Sequence, residues 1–368
     1  MWGKFFWKKT KKLLLSLSLS LEFRTFAFHM EIDVLTIEQV DYLQGLINEG
    51  EHIVICAHRS PDGDAIGSSL GMAGYLRSQG KNPFVCVPDM FPDFLQWMPG
   101  AQGIVRFDKH PEEVAKAIME ADIIFCLDFS QEDRLGDMTP LLVQSKAKKV
   151  VIDHHPSPTI PSVLRISQPQ MSSASEVVFR VIWQLGGFEL MTRQDAVCLY
   201  CGMMTDTGGF TYNSAAPELF FIISQLLTKG INKDKIYRNV YHTFSEWRLR
   251  LTGYVLYQKM NVFPHKHAAY FTLTRQDLKR FHYVKGDAEG LVNMPLQMRG
   301  IRLSISLRED TEHDNLIWVS LRSVDDFSCT KMAEKYFNGG GHLNASGGRL
   351  YCTMAEAEQI VRRAIEEL

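Results

Sequence analysis

Three short apolar runs in this chain end in carboxylates and histidines, and no other feature constrains the fold as much. His52–Ala57 (HIVICA) runs into His58-Arg-Ser-Pro-Asp62-Gly-Asp64. Ile123–Leu127 (IIFCL) runs into Asp128, and Lys149–Ile152 (KVVI) into Asp153-His154-His155. Apolar runs this short read as strands buried on both faces. Helical segments separate them. A capping box at Thr36–Gln39 opens a helix to about Asn48. A second helix is expected over Asp64–Gln79, with Gly80 at its end, and a third over Pro111–Glu120 with proline near its first position. Asn82–Val87 is a further strand candidate. Strands alternating with helices imply a parallel sheet.

Residues 173–260 are mostly helical by pattern, over 173–185, 192–204, 217–229 and 245–260. From His267 the style changes, and 268–273, 302–307 and 316–321 read as strands with helices between and after. The expected architecture is α/β. An N-terminal domain, residues 30–241, carries a mostly parallel sheet flanked by helices. A helical linker covers 242–264. A smaller α/β C-terminal domain, 265–368, lies across a cleft. At roughly 150 residues per domain, a chain of 368 residues suits two domains.

Composition narrows the function classes. A 45% hydrophobic fraction excludes a disordered or collagen-like chain. The formal net charge of −2 hides an asymmetry. Residues 1–29 carry six basic side chains and one acidic, whereas residues 30–368 hold 34 basic and 41 acidic. An acidic body cannot hold long duplex DNA by phosphate neutralisation, so any nucleotide must be handled locally. Residues 1–29 pair a basic stretch with the apolar run Leu13–Leu21, but no small-x-small cleavage site follows. They read as a leader or a mis-assigned start before Met30, without a fold of their own. No later run reaches the length of a membrane span. Seven scattered cysteines suit a reducing cytoplasm. Cys198-x-x-Cys201 has no second pair at zinc-finger spacing and reads as part of a buried helix.

In open α/β sheets, ligands bind at the carboxyl ends of strands. Three such ends would bring His58, Asp62, Asp64, Asp128, Asp153, His154 and His155 together. Asp206, where an apolar helix meets a glycine-rich turn, is a fourth contributor. Singly, such residues are usually caps or structural histidines; three coincident strand ends are not. Carboxylates so concentrated repel one another unless cations neutralise them. An Asp/His set without thiolate suits Mn²⁺ or Mg²⁺ better than Zn²⁺ or Fe²⁺, and the number of ligands suits two ions. Two divalent ions can clamp a phosphate and activate water for phosphoester hydrolysis. A second cluster, Asn338-Gly-Gly-Gly-His342-Leu-Asn-Ala-Ser346-Gly-Gly348, could bring backbone N–H groups close to an anion or a flat ring. Its bland alternative is a mobile surface turn. Arg308 and Arg322 upstream could form a small phosphate clamp if they sit on neighbouring strands.

The His58–Ser68 segment, Asp128, Asp153-His154-His155 and Asp206 in TDTGGF resemble, in order, the motifs of the DHH phosphoesterase superfamily. The run from Gly339 to Gly348 resembles the signature of its DHH-associated C-terminal domain. The likeness covers roughly residues 31–366 and is nearest to the NrnA-type branch, the bifunctional oligoribonucleases and 3′-phosphoadenosine-5′-phosphate (pAp) phosphatases. It implies that one metal takes His58, Asp62 and Asp128, and the other takes Asp64, Asp128, His154 and Asp206, with Asp128 shared. It implies that Asp153 orients His154 and that His155 faces the scissile phosphate, with a metal-bridging hydroxide as nucleophile. Arg134, with Arg308, Arg322, Gly339, Gly340, Gly341 and His342, would hold the substrate. The expected activity is hydrolysis of short RNA, pApA-type dinucleotides or pAp, in the cytoplasm, with Mn²⁺ or Mg²⁺. No membrane is involved, and a homodimer is open to such a chain. The alternatives are cyclic di-AMP hydrolysis, polyphosphate or pyrophosphate hydrolysis, and metal-dependent nucleotide binding without catalysis. A processive single-strand exonuclease is disfavoured, since no residues are left for an extra binding module.

Overall fold

The computed structural model describes residues 32–284 and 286–368, so the leader expected over 1–29 lies outside the described residues. The chain forms two compact units that divide between Tyr237 and Arg238, with Phe91–Gln96 belonging to the second.

The first unit opens with helix α1 (Ile37–Glu49). The expected capping box is present: Gln39 N donates to Thr36 Oγ1, and Thr36 N donates to Gln39 Oε1. There follow β1 (Ile53–Ala57), α2 (Gly63–Ser78), β2 (Phe84–Val87), β3 (Val105–Arg106), α3 (Pro111–Glu120) and β4 (Ile123–Leu127). Then come α4 (Thr139–Gln144), β5 (Lys148–Asp153), β6 (Leu164–Ser167), α5 (Ala174–Gln184), α6 (Arg193–Asp206), α7 (Pro217–Thr228) and α8 (Lys233–Tyr241), within which the division between the units falls. Among the described residues the strands form one parallel sheet in the order β3-β2-β1-β4-β5-β6. β1 and β4 are buried along their whole length, as their unbroken apolar runs require. β3 and β6 had no such signature, because they are short strands at the two edges of the sheet. The strand order reverses between β1 and β4, so the crevice beyond their carboxyl ends is a topological switch point.

One face of this sheet packs Val54, Ile124 and Val151 against Val114 and Ile118 of α3 and Leu142 of α4. On α2, the helix packing depends on missing side chains. A Cβ at Gly67 would stand 2.6 Å from the Cys198 carbonyl and 2.9 Å from the Cα of Gly202, both on α6. A Cβ at Gly202 would stand 2.0 Å from Ser175 Oγ on α5. Glycines at these places let the helices approach backbone to backbone. The pairing runs antiparallel: Gly63 faces Thr205, and Gly74 faces Asp195. The first turn of α2 and the last turn of α6 therefore meet, which brings Asp64 and Asp206 to one end. Cys198 and Cys201 are free thiols buried in α6, as a helical reading of CxxC expects.

The second unit has α9 (Glu246–Tyr254), prolonged by one π turn to Lys259, then β7 (Asn261–Phe263), β8 (Ala268–Leu273), α10 (Arg275–Arg280) and β9 (Leu303–Glu309). It ends with β10 (Leu316–Ser323), α11 (Cys329–Tyr336), β11 (Gly340–His342), β12 (Ala345–Tyr351) and α12 (Met354–Glu366). The described strands form a mixed sheet, β11-β12-β10-β9-β8-β7, in which only β8 and β9 run parallel. β10 alternates strictly between buried and half-buried positions. Its buried row, Ile317, Val319 and Leu321, packs with Phe337 next to α11 and Val361 and Ile365 of α12. The glycine cluster is not the mobile surface turn of the bland alternative: Gly340–His342 is an edge strand paired with the start of β12. A Cβ at Gly339 would fall 1.8 Å from the Gly347 carbonyl. One at Gly341, whose φ is +143°, would fall 2.5 Å from that of Ala345. Two of the three glycines are thus required by close backbone approach; Gly340, where a Cβ meets nothing within 4 Å, is not. No described helix is long and apolar enough to cross a membrane.

Gly67→Ala tests the helix contact, since its new carbon meets backbone rather than a flexible side chain. Overpacking of this kind costs about 1–3 kcal/mol. A chemical-denaturation curve should shift by at least that much, and an unchanged curve would mean that α2 and α6 separate freely.

Candidate metal centre

Adjacent strands bring the first ligands level. Ala57 pairs with Leu127, and Leu127 with Ile152. His58, Asp128 and Asp153 therefore leave or end three neighbouring strands at the same height. Asp128 has a φ of +62°, in the left-handed region that Asp tolerates better than most side chains. Its Oδ2 lies 3.2 Å from His58 Nε2, and its Oδ1 lies 3.6 Å from both His154 Nε2 and His155 Nδ1. Asp62 is the N-cap of α2, and its Oδ1 accepts from Asp64 N and Ala65 N. His154 Nε2 stands 3.5 Å from Asp206 Oδ2 and 3.9 Å from Asp64 Oδ2. Three overlapping triads result: His58, Asp62 and Asp128; Asp64, His154 and Asp206; Asp128, His154 and His155. All eight residues expected from the strand ends and the α6 terminus are together.

The histidine rings are turned by backbone carbonyls. His58 Nδ1 donates to the Arg59 carbonyl at 2.8 Å, and His154 Nδ1 makes a longer contact, 3.4 Å, with that of Met171. Each ring therefore presents Nε2 to the carboxylates, the arrangement of a histidine ready to bind a metal. Asp153 behaves differently from the family expectation. Its Oδ1 accepts from His155 Nδ1 at 2.8 Å and from only the backbone N–H of His154. The ring it aims is that of His155, because its partner must lie within reach of a carboxylate fixed at the end of β5.

The charges are strongly coupled. Burial pushes the Asp64 carboxyl well above the usual carboxylate range, and the charges of Asp128 and Asp206 add to it. Burial likewise pushes Asp206 up, to about 7, against the pull of His154. For Asp128, burial opposes ionisation, but the His154 and His58 rings outweigh it and hold the carboxyl well below its usual range. Burial lowers His154, yet Asp128 and Asp206 raise it well above the ordinary imidazole value. Asp128 Oδ1 is buried and accepts no hydrogen bond from a described residue. A buried carboxylate oxygen without a donor, surrounded by nitrogen and oxygen ligands and no thiolate, fits a divalent cation of the Mg²⁺ or Mn²⁺ type.

Arg134 belongs to the same unit. Its carbonyl accepts from Arg59 N, and its charge acts on His58. Arg308, Arg322, Gly339, Gly340, Gly341 and His342 belong to the second unit. Arg308 and Arg322 do lie on neighbouring strands and on one face. Arg308 pairs with Trp318, however, and Arg322 with Ser304, four positions along. That is about 13 Å, so the two do not form a single fork. Arg349, not singled out by sequence, pairs with Trp318 from the other side, so an indole stands between two arginines. The His342 carbonyl accepts from the hydroxyls of Thr330 and Ser346. Sequence reasoning also missed the donors to Asp64, which are backbone N–H groups: Ala174 N at 2.6 Å and Ser175 N at 2.8 Å. The helix start at Ser173 was the one available signal.

A profile described as the DHH family, N-terminal domain, matches residues 52–203. The crystal structure of an exopolyphosphatase-related protein from Bacteroides fragilis superposes with a TM-score of 0.85 at 50% identity, covering 89% of this chain and 95% of that one. The bifunctional oligoribonuclease and PAP phosphatase NrnA of Bacillus subtilis is 27% identical over 314 residues, 84% of this chain and 92% of its own. The cyclic-di-AMP phosphodiesterase PdeA of Listeria monocytogenes is 26% identical over 339 residues, 88% of this chain and 49% of its own.

Because burial raises both Asp64 and Asp206, the latter to about 7, and a cation needs them ionised, metal uptake should release protons. Calorimetric titration of Mn²⁺ at pH near 7, in buffers of different ionisation enthalpy, should give buffer-dependent heats, with affinity falling as pH drops below about 7. Buffer-independent heats would contradict this charge arrangement.

Proposed function

The chain belongs to the DHH family of phosphoesterases, and we propose that it is a divalent-metal-dependent hydrolase of short oligonucleotides and 3′,5′-bisphosphonucleosides. The observation that carries the reading is the convergence of His58, Asp62, Asp64, Asp128, His154 and Asp206 around one buried carboxylate. Two bound Mn²⁺ or Mg²⁺ ions would supply charge to clamp a phosphate and to lower the pKa of an attacking water. Asp128 reaches both halves of the ligand set. With Nδ1 anchored on backbone carbonyls, His58 and His154 would offer Nε2 to bound cations. In this reading His155, whose Nδ1 donates to Asp153, would donate to a phosphate oxygen or to the leaving group. The Lys/Arg content of this acidic chain favours substrates of a few phosphates over long strands.

The substrate class rests on the likeness to the Bacillus subtilis enzyme, which spans nearly all of both chains. The second reading, cyclic di-AMP hydrolysis, is favoured by the Listeria relative at nearly the same identity. For the second unit we propose a substrate-binding role for Arg308, Arg322, His342 and the glycine strand, and for the first unit the same role for Arg134. Gly340 supports this, since packing does not require it to be glycine. Free cysteines at every position fit a reducing cytoplasm.

With Mn²⁺, the purified protein should hydrolyse pAp, pApA or short RNA in a panel that also holds cyclic di-AMP and pyrophosphate. Hydrolysis of pyrophosphate alone would sink the nucleotide reading. Asp128→Asn keeps shape and left-handed tolerance but removes the shared charge. It should lower kcat by roughly 10²–10³-fold or more with an unchanged circular dichroism spectrum. Gly340→Ala should leave the melting temperature unchanged and raise KM; an unchanged KM would remove that strand from the binding surface.

A further inference from the structure

We propose that Glu176, buried and paired with Arg180, is a positioning residue for the metal centre and acts through the turn Met171–Ser175. The inference rests on the metal reading above but not on the substrate. Glu176 and Arg180 are 1% and 2% exposed, an uncommon burial for two charged side chains. Glu176 Oε1 accepts from Arg180 Nε at 3.0 Å and from Arg180 Nη2 at 2.7 Å. Its Oε2 accepts from Ser172 N at 2.9 Å and Ser172 Oγ at 2.6 Å. Ser173 Oγ accepts in turn from Glu176 N. The Glu176 carboxylate therefore ties the start of α5 to Ser172, and the Glu176 backbone N–H ties it to Ser173.

That turn touches two of the metal-type side chains. Ala174 N and Ser175 N, the first two N–H groups of α5, donate to the two oxygens of Asp64, one each, so the plane of that carboxylate is set by the start of that helix. The Met171 carbonyl, next to Ser172, accepts from His154 Nδ1. The same carbonyl accepts from Asn213 Nδ2 at 3.5 Å, across from the segment that follows Asp206. A shift of this turn by a fraction of an ångström moves Asp64 and turns His154 together. Outer partners of metal ligands change metal affinity by roughly 10–100-fold when altered.

A purely structural pair makes a different prediction. Buried ion pairs replaced by apolar residues of similar volume often retain full stability. The test is Glu176→Met combined with Arg180→Met, with three readouts on the full chain: melting temperature, Mn²⁺ affinity by calorimetry, and the Mn²⁺ electron paramagnetic resonance spectrum. The expected result is a melting temperature close to wild type, Mn²⁺ affinity lower by about tenfold or more, and an altered spectrum. Wild-type affinity and spectrum in that variant would overturn the inference. Ser172→Ala is the second variant: it leaves the ion pair intact and removes only the Oγ donor. Weaker Mn²⁺ binding at unchanged melting temperature is expected there, and unchanged binding would count against the inference whether or not the double variant folds. A wild type that took up no Mn²⁺ would overturn the metal reading and this inference with it. Equal affinities in wild type and variants would overturn this inference alone.

Discussion

Like charges held in a small buried volume dominate this protein. Asp64, Asp128, Asp153 and Asp206 cannot all ionise together out of water without a positive counterpart. His58 and His154, both raised despite burial, supply part of it. The remainder shows as displaced protonation, with Asp64 and Asp206 pushed up while Asp128 is held down. Such a cluster is costly in the absence of cations, so the surrounding backbone has to hold it in place. The parallel sheet, the close α2–α6 contact and the turn before α5 each do part of this.

The sheet contributes by register. Because β1, β4 and β5 are neighbours and parallel, side chains at their carboxyl ends must converge, and the switch point leaves a crevice there. The helices contribute by proximity. Gly67 and Gly202 let α2 and α6 lie almost in backbone contact, which sets Asp64 and Asp206 against the same imidazole, His154. Backbone dipoles complete the site. Two N–H groups meet Asp64, and two carbonyls turn His58 and His154. Such groups cost no side-chain entropy to order once the fold has formed.

Much of this was legible beforehand, for a local reason. Strands buried on both faces must be apolar throughout, so HIVICA, IIFCL and KVVI announce themselves, and the polar residue that follows each is conspicuous. The capping box at Thr36 and the proline at the start of α3 are equally local. The edge strands β3 and β6 escaped because an edge needs no continuous apolar run. The glycine strand β11 escaped because glycine carries no strand signal; its shape follows from the backbone of Ala345–Gly348, which it touches.

By itself the sequence determined that strands alternate with helices and that Asp and His cluster at their ends, since residue type and spacing carry that information. It also determined the absence of a thiolate from the set, and with it the kind of cation that suits the site. Only the tertiary structure decided which ring Asp153 aims, His155 rather than its immediate neighbour His154. It alone decided that Arg308 and Arg322 stand four register positions apart. And it alone made Glu176 and Arg180 part of the support of a site they do not themselves line with ligands. The reason is physical: backbone donors and acceptors are the same at every residue, so which of them meets a given side chain depends on contacts far apart in the chain.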